Sequence, residues 1–344
     1  MKIVHASHFS IRNYGSNFNA IQYKLSNGLT RLGHFVFNYS DRDVANANPF
    51  RVRALGVGRA NKTLIRVCRE VRPDLLLLGH CTIIAAETIQ SIRAEHPGLH
   101  IAHWNCDGLF VDENLERLRT LAPIVDASFV TTAGEDLRQV VARGGRACFI
   151  PNPVDPSIET LRVFERQDVQ NDLVFLTGFN RYDTEKLEKC DAIKLRLPDI
   201  RFDVRGLYNT PGAYGSELFD VLAQARMGLN ISKRNDVYLY SSDRMSQLMG
   251  CGLLTIVDRR TGFNEIFGSD ELVTYDGTDD LIDRIDFFHR NDTERKRVAE
   301  NGWRRVHAIF SEAIAAQWIL DVTFDRPHSQ DYAWPTQIVS GPQA

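Results

Sequence analysis

The chain lacks the short signatures that announce the commonest chemistries. No Walker P-loop, GxSxG elbow or HExxH pair occurs, which sets aside P-loop phosphotransfer, α/β-hydrolase and zincin readings. The dinucleotide fingerprint GxGxxG is missing at the first strand-to-helix turn, where only Gly15 is offered. Hydride transfer from a nicotinamide needs that close backbone approach and is discounted. Cys68, Cys81, Cys106, Cys148, Cys190 and Cys251 form no CxxC and no metal-like spacing, the pattern of reduced, packed thiols. An excess of charge is missing too: 41 basic against 44 acidic residues leave a net charge of -3. No global field therefore draws the chain to nucleic acid. No run reaches transmembrane length, and "MKIVHAS" begins at once as a strand, without a charged n-region, an apolar h-region or a cleavage site. These absences point to a cytoplasmic protein and leave open a peripheral contact with the inner face of the membrane. Repeats of solenoid period and low-complexity tracts are also absent.

What is present is a long alternation of strand and helix. At 344 residues and 43% apolar composition the chain can bury a large core, and its length favours two domains. "KIVHAS" leads through "NYGSNFN" to "AIQYKLSNGLTRLG", where Ile21, Leu25, Leu29 and Leu32 recur at helical spacing. "HFVFNYS", "DLLLLGH", "LHIAHWN", "DASFVTT" and "RACFIP" are further strands, and the continuous apolar run 75–78 reads as one buried on both faces. Helices fall between them, so right-handed βαβ units on a parallel sheet are expected, with loops at the carboxyl ends forming a crevice. "LGVGRAN" reads as a loop, and "SDRD", with Asp41 and Asp43, as a turn bearing surface charge rather than a metal-binding DxD. "IPNPVDPSIE" carries three prolines in six positions and marks the domain boundary. A second alternating series follows, giving domains at 1–152 and 153–314 and a terminal helix and loop-like tail at 315–344 returning toward the first domain.

Within the second series, "YLYSSDRMSQLMGCGLLTIV" pairs a short, polar-tipped helix with a core strand. Ser241, Ser242 and Asp243 at a helix start offer free N–H groups, Arg244 a bidentate clamp for a diphosphate, and Gln247 hydrogen bonds to ribose hydroxyls. Gly250 and Gly252 would let the backbone pack against the strand 253–257. The bland alternative is a capped surface helix with Arg244 paired to Asp243 or Asp236. Two other strand ends bear similar groups: Gly178, Arg181 and Lys186 in one, Asn230, Ser232, Lys233 and Arg234 in the other. On one sheet edge these cations would converge on a crevice, or form a solvated rim.

The double Rossmann layout, "IPNPVD" and the block from "SSDRMSQLMGCGLLTIVDRRTGFNEIF" through "ELVTYDGTDDLIDRI" to "ERKRVAENGWRRV" resemble a GT-B glycosyltransferase. More closely, the chain is similar to bacterial group-1 and spore-maturation (CgeB-like) transferases, with the specific motifs between about residues 172 and 310. The resemblance implies an α/β fold of two Rossmann-like domains facing each other across a cleft. It implies that the C-terminal domain binds a nucleotide-sugar, that the N-terminal domain binds a glycan or lipid-linked acceptor, and that neither metal nor cofactor is needed. Arg244 then falls at the diphosphate. The chain departs from the pattern at Gln247, where a ribose-binding Glu is common, and at Leu239, where an acidic partner is expected. Glu265 falls where an acidic residue often faces the donor.

For the acceptor, Asn13, Tyr14, Gly15 and Ser16, and His103 with Trp104, lie at or past strand ends. Trp104 could stack on a sugar face. His80 and Asp107 are the candidate bases for an acceptor hydroxyl, against the plainer roles of a structural His and a turn-capping Asp. The expected activity is metal-independent sugar transfer from a nucleoside diphosphate donor in cell-surface glycan assembly. A nucleotide-sugar epimerase of the same fold, or a non-catalytic sugar-nucleotide-binding scaffold, are the alternatives.

Overall fold

The computed structural model describes residues 1–48, 50, 52–178 and 183–342, and Arg181 lies outside them. The chain divides into two units, Met1–Pro153 with Glu312–Ala344, and Val154–Ser311.

In the first unit β1 (Lys2–Ser7), α1 (Ile21–Arg31), β2 (Phe35–Ser40), α2 (Asp41–Asn46), α3 (Arg53–Val71), β3 (Leu75–Gly79), α4 (Ala86–Glu95), β4 (His100–Asn105), α5 (Asp112–Leu121), β5 (Ala127–Val130), α6 (Leu137–Val140) and β6 (Arg146–Phe149) follow in order. β1 pairs in parallel with β2 (Ser7 opposite Ser40) and with β3 (Ser7 opposite Gly79). The sheet order β12-β6-β5-β4-β3-β1-β2 therefore reverses at β1. The second unit repeats the device with β7 (Asn171–Leu176), α7 (Thr184–Arg196), β8 (Phe202–Arg205), α8 (Ser216–Leu222), β9 (Ala225–Asn230), α9 (Arg244–Gly250), β10 (Leu254–Asp258), β11 (Val273–Tyr275), α10 (Gly277–Arg290) and α11 (Asp292–Ile309). Its order, β11-β10-β9-β7-β8, is fully parallel and reverses between β8 and β9, at β7. The chain then returns to the first unit through α12 (Glu312–Thr323) and ends on β12 (Ile338–Ser340).

Three readings of the sequence need correction. "LGVGRAN" is helix: Gly56 and Gly58 lie inside α3, because a Cβ at Gly56 would collide with the Ala45 carbonyl where α2 crosses α3. Only glycine lets the two backbones meet there, and that requirement outweighs its poor helix propensity. "SDRD" is the start of α2, and Asp41 is fully buried rather than on the surface. The tail is not all loop. β12 adds an antiparallel strand to the outer edge of β6, and Asp321 secures the intervening turn by accepting from the Ser329 amide and the Tyr332 hydroxyl at 2.8 and 2.7 Å.

The short helix α9 ends for a local reason. The Gly252 amide donates to Met249 and the Leu253 amide to Leu248, with Gly252 at φ 78°. This is the paired closure that a left-handed glycine provides at a helix C-terminus. The close approach to the sheet comes from elsewhere: a Cβ at Gly228 of β9 would strike the Leu248 methyls, whereas Gly250 abuts Val154 and Glu159 and not the strand that follows.

A polar chain runs through the first unit's core. The Trp104 indole donates to His5 Nε2 at 3.0 Å, His5 Nδ1 lies 2.8 Å from Ser26 Oγ, and Ser26 donates to Asn38 at 2.8 Å. An indole only donates, so His5 is the neutral Nδ1–H tautomer. Burial lowers His5 to about 3. His103 is equally buried, its ring nitrogens have no partner among the described residues, and burial, then the nearby Arg117 and His80, lower it to about 3.

Two predictions follow from packing and charge. Gly56→Ala should destabilise by about 1–3 kcal/mol through overpacking, whereas Gly58→Ala, with nothing within 4 Å of a new Cβ, should gain about 0.5–1 kcal/mol of helix propensity. Urea midpoints of the two variants check this, and shifts of the same sign would refute the packing role. For His5 and His103 the folded values lie below the unfolded 6.5, so the unfolded chain binds protons that the native one refuses and stability is lost as pH falls below 6.5. Each group contributes a slope of about 1.4 kcal/mol per pH unit. Asp41, raised by burial to about 6 from 3.8, opposes them between those values. His8, His34 and His80 are lowered in the same direction, so His103→Leu should keep its stability near neutral pH and remove one share of the histidine-driven loss measured toward pH ~5; an unaltered pH profile would disprove the assignment.

Candidate functional site

The carboxyl edge of the second sheet brings Arg244, Asn230, Ser232 and Ser242, four of the residues expected to bind a donor, together beside β7. Arg244, at the first position of α9, lies with its guanidinium 5.0 Å from the Phe175 ring on β7. It donates to Asn230 Oδ1 at 3.2 Å and to the Ile231 carbonyl at 3.0 Å, both at the end of β9. Neither acceptor is a carboxylate, so Arg244 pairs with neither Asp243 nor Asp236; the latter is taken by Arg234 at 2.6 Å. Burial lowers Arg244 to about 10, and the nearby Tyr240 partly offsets this, which leaves the side chain cationic at neutral pH. Ser242 Oγ donates to the same Asn230 oxygen at 3.1 Å, while its amide donates to Ser232 Oγ at 3.0 Å. The Asn230 amide nitrogen is buried without a partner among the described residues.

The remaining donor-side residues are arranged differently from the expected convergence of cations. Lys186 is buried and its ammonium is held by Asp183 at 2.6 Å, so its charge is neutralised inside the first turn of α7. Lys233 and Gly178 are exposed. Ser241 donates to the Ser242 carbonyl at 2.6 Å. Gln247 reaches its own helix, donating to Asp243 at 2.8 Å. Glu265 is exposed and accepts from the Tyr238 hydroxyl at 2.6 Å. Leu239 is buried in a left-handed conformation, φ 53°, anchored through its amide to the Thr261 carbonyl at 2.7 Å. Of the basic side chains described, Arg244 is thus the one placed over the sheet's reversal.

On the first unit, His80 follows β3 in a left-handed conformation, φ 49°, with Nδ1 3.3 Å from Asp107 Oδ2 beyond β4. Burial lowers its pKa, Asp107 opposes this, and Arg117 and Arg42 add to the lowering. The ring is therefore neutral near pH 7 and able to accept a proton. Ligand-capable atoms of His80, Cys106 and Asp107 lie within 4.8 Å of one another, a spacing at which they could hold a transition ion. Two acceptor-site readings fail on burial. His103 and Trp104 are 0% and 2% exposed, their side chains face the core, and Trp104 is occupied by His5. A Cβ at Gly79 would strike the Trp104 ring, so the strand end is shaped to bury that indole and not to present it. Asn13 ends a short 3-10 turn, Ile11–Asn13, and Tyr14 and Gly15 are exposed beside it, with Ser16 half-buried.

Sequence reasoning overlooked Phe175 and Arg117. Phe175 reads as an ordinary core residue, and nothing in its local pattern shows that Arg244 lies over it. Arg117, on α5, leaves Nε and Nη1 buried without partners among the described residues. Its position, one turn from Glu113 and Leu121 on an apparently ordinary amphipathic helix, gives no sign of that.

A family profile described as glycosyl transferase-like matches residues 188–321. No curated protein matches. Among solved structures, the chain is similar to sucrose-phosphate synthase from Thermosynechococcus elongatus, with a TM-score of 0.61 at 13% identity over 94% of this chain and 98% of that one. Anabaena HepE, solved with UDP and glucose, gives a TM-score of 0.59 at 11% identity over 93% and 98%. A UDP-N-acetylglucosamine 2-epimerase gives 0.53 at 12% identity over 97% and 99%. The likeness is one of fold: a mixed α/β chain of two Rossmann-like units with parallel sheets, of the GT-B class, and glycosyltransferase-like over much of its second unit.

Proposed function

We propose that the protein is a glycosyltransferase whose second unit binds a nucleoside diphosphate-sugar and whose first unit binds the acceptor. The observation that carries this is Arg244: a largely desolvated cation over the β7 reversal, held by an amide oxygen and a carbonyl and by no carboxylate. Asp183 and Asp243 act on it through space without taking its donors, and a diphosphate supplies two negative groups in the geometry a guanidinium fits. Ser242 and the Asn230 amide nitrogen stand beside it as further donors. Carboxyl-edge crevices at a strand-order reversal are where open α/β sheets take their ligands.

His80 is the proposed base. As the anomeric carbon–oxygen bond to the diphosphate breaks, the acceptor oxygen bonds to that carbon and its proton passes to the neutral imidazole, which Asp107 stabilises as a cation. Nucleoside diphosphate leaves with the electron pair. Gln247 in place of a carboxylate removes one negative charge from the donor side. The reading extends to a metal-independent reaction without a cofactor, and to a glycan or lipid-linked acceptor in cell-surface glycan assembly. No helix among the described residues is long and apolar enough to cross a membrane; a cytoplasmic location, with peripheral contact at the inner membrane face, belongs to the same proposal.

Calorimetry with UDP, GDP, ADP, CMP and dTDP should find one saturable nucleotide, and Arg244→Ala should weaken it by about 1.5–3 kcal/mol; unchanged affinity in a folded variant would remove the assignment. His80→Ala should lower turnover roughly 10²–10⁴-fold with nucleotide affinity intact, and chelators should leave the rate unchanged. Formation of an epimerised donor without acceptor would instead favour the epimerase, and binding without turnover the idle scaffold.

A further inference from the structure

The first unit carries an open polar pocket of about 400 Å³ that the donor site does not use. It is lined by His8 just past β1, Arg12 and Asn13 of the 3-10 turn, Arg42 and Asp43 of α2, and Arg53 at the start of α3. Three guanidinium groups thus share one carboxylate, whose charge opposes theirs at His8 and whose oxygens also hold the backbone. Asp43 accepts from the Ile11 amide at 2.7 Å and from Ser40 Oγ at 2.5 Å, which pins the turn to α2.

The arginines are correspondingly short of partners. Arg53 is exposed and has no hydrogen-bond or ion-pair partner among the described residues. Arg42 spends one nitrogen on Thr82 Oγ1 at 3.0 Å and buries Nε without a partner. Arg12 donates one nitrogen to the Asn46 carbonyl at 2.7 Å. His8 Nδ1 is likewise buried and unpartnered. Burial, then Arg42, drives His8 down to about 4, with His80 and Arg53 adding to the effect against Asp43. The imidazole is neutral, and its surroundings are positive. Like charges gathered in one concavity repel unless an anion joins them, and the planar donors of arginine suit a tetrahedral oxyanion.

We infer that this pocket holds a phosphate group of the acceptor, gripped by Arg42 and Arg53 with Arg12 at its rim. The inference rests on the glycosyltransferase reading and narrows its acceptor to phosphorylated molecules. The pocket adjoins the proposed base: Arg42 bonds to Thr82, two residues beyond His80, and His80 is near enough to His8 to act on its charge. A phosphate anchored there fixes the acceptor at one end while a hydroxyl elsewhere on it meets the imidazole. Exposed Ile11, Tyr14, Val52 and Leu55 flank the arginines in sequence.

The test titrates inorganic phosphate into the full chain carrying Arg244→Ala, which silences the donor site, and reads affinity by calorimetry. Saturable binding is expected, weakened roughly tenfold or more by Arg53→Gln and by Arg42→Gln. Arg53 is exposed, so its variant folds whatever becomes of Arg42. Hexose 6-phosphate and vesicles of equimolar phosphatidylcholine and phosphatidylglycerol then separate the two sources. Arg53-dependent binding of the first supports a soluble acceptor, and of the second a lipid-linked one. Absence of phosphate binding, or binding indifferent to both substitutions, overturns the pocket. Nucleotide titration of the unsubstituted chain runs alongside: nucleotide binding without phosphate binding sinks this inference alone, and phosphate binding without nucleotide binding keeps the anion pocket but removes its role as an acceptor site.

Discussion

In each unit one strand is hydrogen-bonded in parallel on both sides to strands that follow it in sequence, β1 by β2 and β3, and β7 by β8 and β9. Right-handed crossovers then leave that strand toward opposite faces, and the loops at its carboxyl end must part. The gap is a product of backbone topology and costs no extra residues. Several side chains with an unmet electrostatic demand lie at such a gap: Arg244 over β7, and His8, Arg42 and His80 around the ends of β1 and β3.

The two gaps handle charge differently. In the second unit a single guanidinium is desolvated on an aromatic ring and held by neutral oxygens, while the neighbouring Lys186 and Arg234 are each matched by an aspartate. Pairing the bystanders and leaving Arg244 without a carboxylate keeps one positive focus in place of a diffuse rim. In the first unit several arginines share a wider, wetter concavity, and burial keeps the nearby imidazoles neutral. One gap is built around a fixed point charge and the other around a field, with the His80 imidazole beside the field.

Much of the architecture was readable from periodicity, since continuous apolar runs such as Leu75–Leu78 and alternating helices leave few folds open. The misreadings share a cause. Local preference misleads at Gly56 and Asp41: the glycine is set by the Ala45 backbone that crosses it, and the aspartate is buried at the start of α2. Trp104 and His103 show the converse error. A polar or aromatic residue at a strand end is a site residue only if its side chain faces the loops, and strand alternation cannot say whether a glycine on the neighbouring strand, here Gly79, makes room for it inside. The position of Arg244 at the start of a short helix beside two serines is legible in the sequence; its place over Phe175 is not. The arginine pocket was not, because Arg12, Arg42 and Arg53 come from three segments whose meeting depends on Asp43 tying the turn to α2.

The first unit is discontinuous along the chain: its sheet ends with β12 and its α1 face is covered by α12, where Gly28 meets the Glu312 backbone and Arg31 pairs with the Glu312 carboxylate. A ribosome delivers residues in order, so Val154–Ser311 is finished and free to fold while the earlier half still has a bare β6 edge and an uncovered helix. An unpaired strand edge is a template for wrong partners. The segment from Glu312 onward thus acts as a late clasp, and a nascent chain halted before it would expose an aggregation-prone edge on a unit whose other strands had already been made.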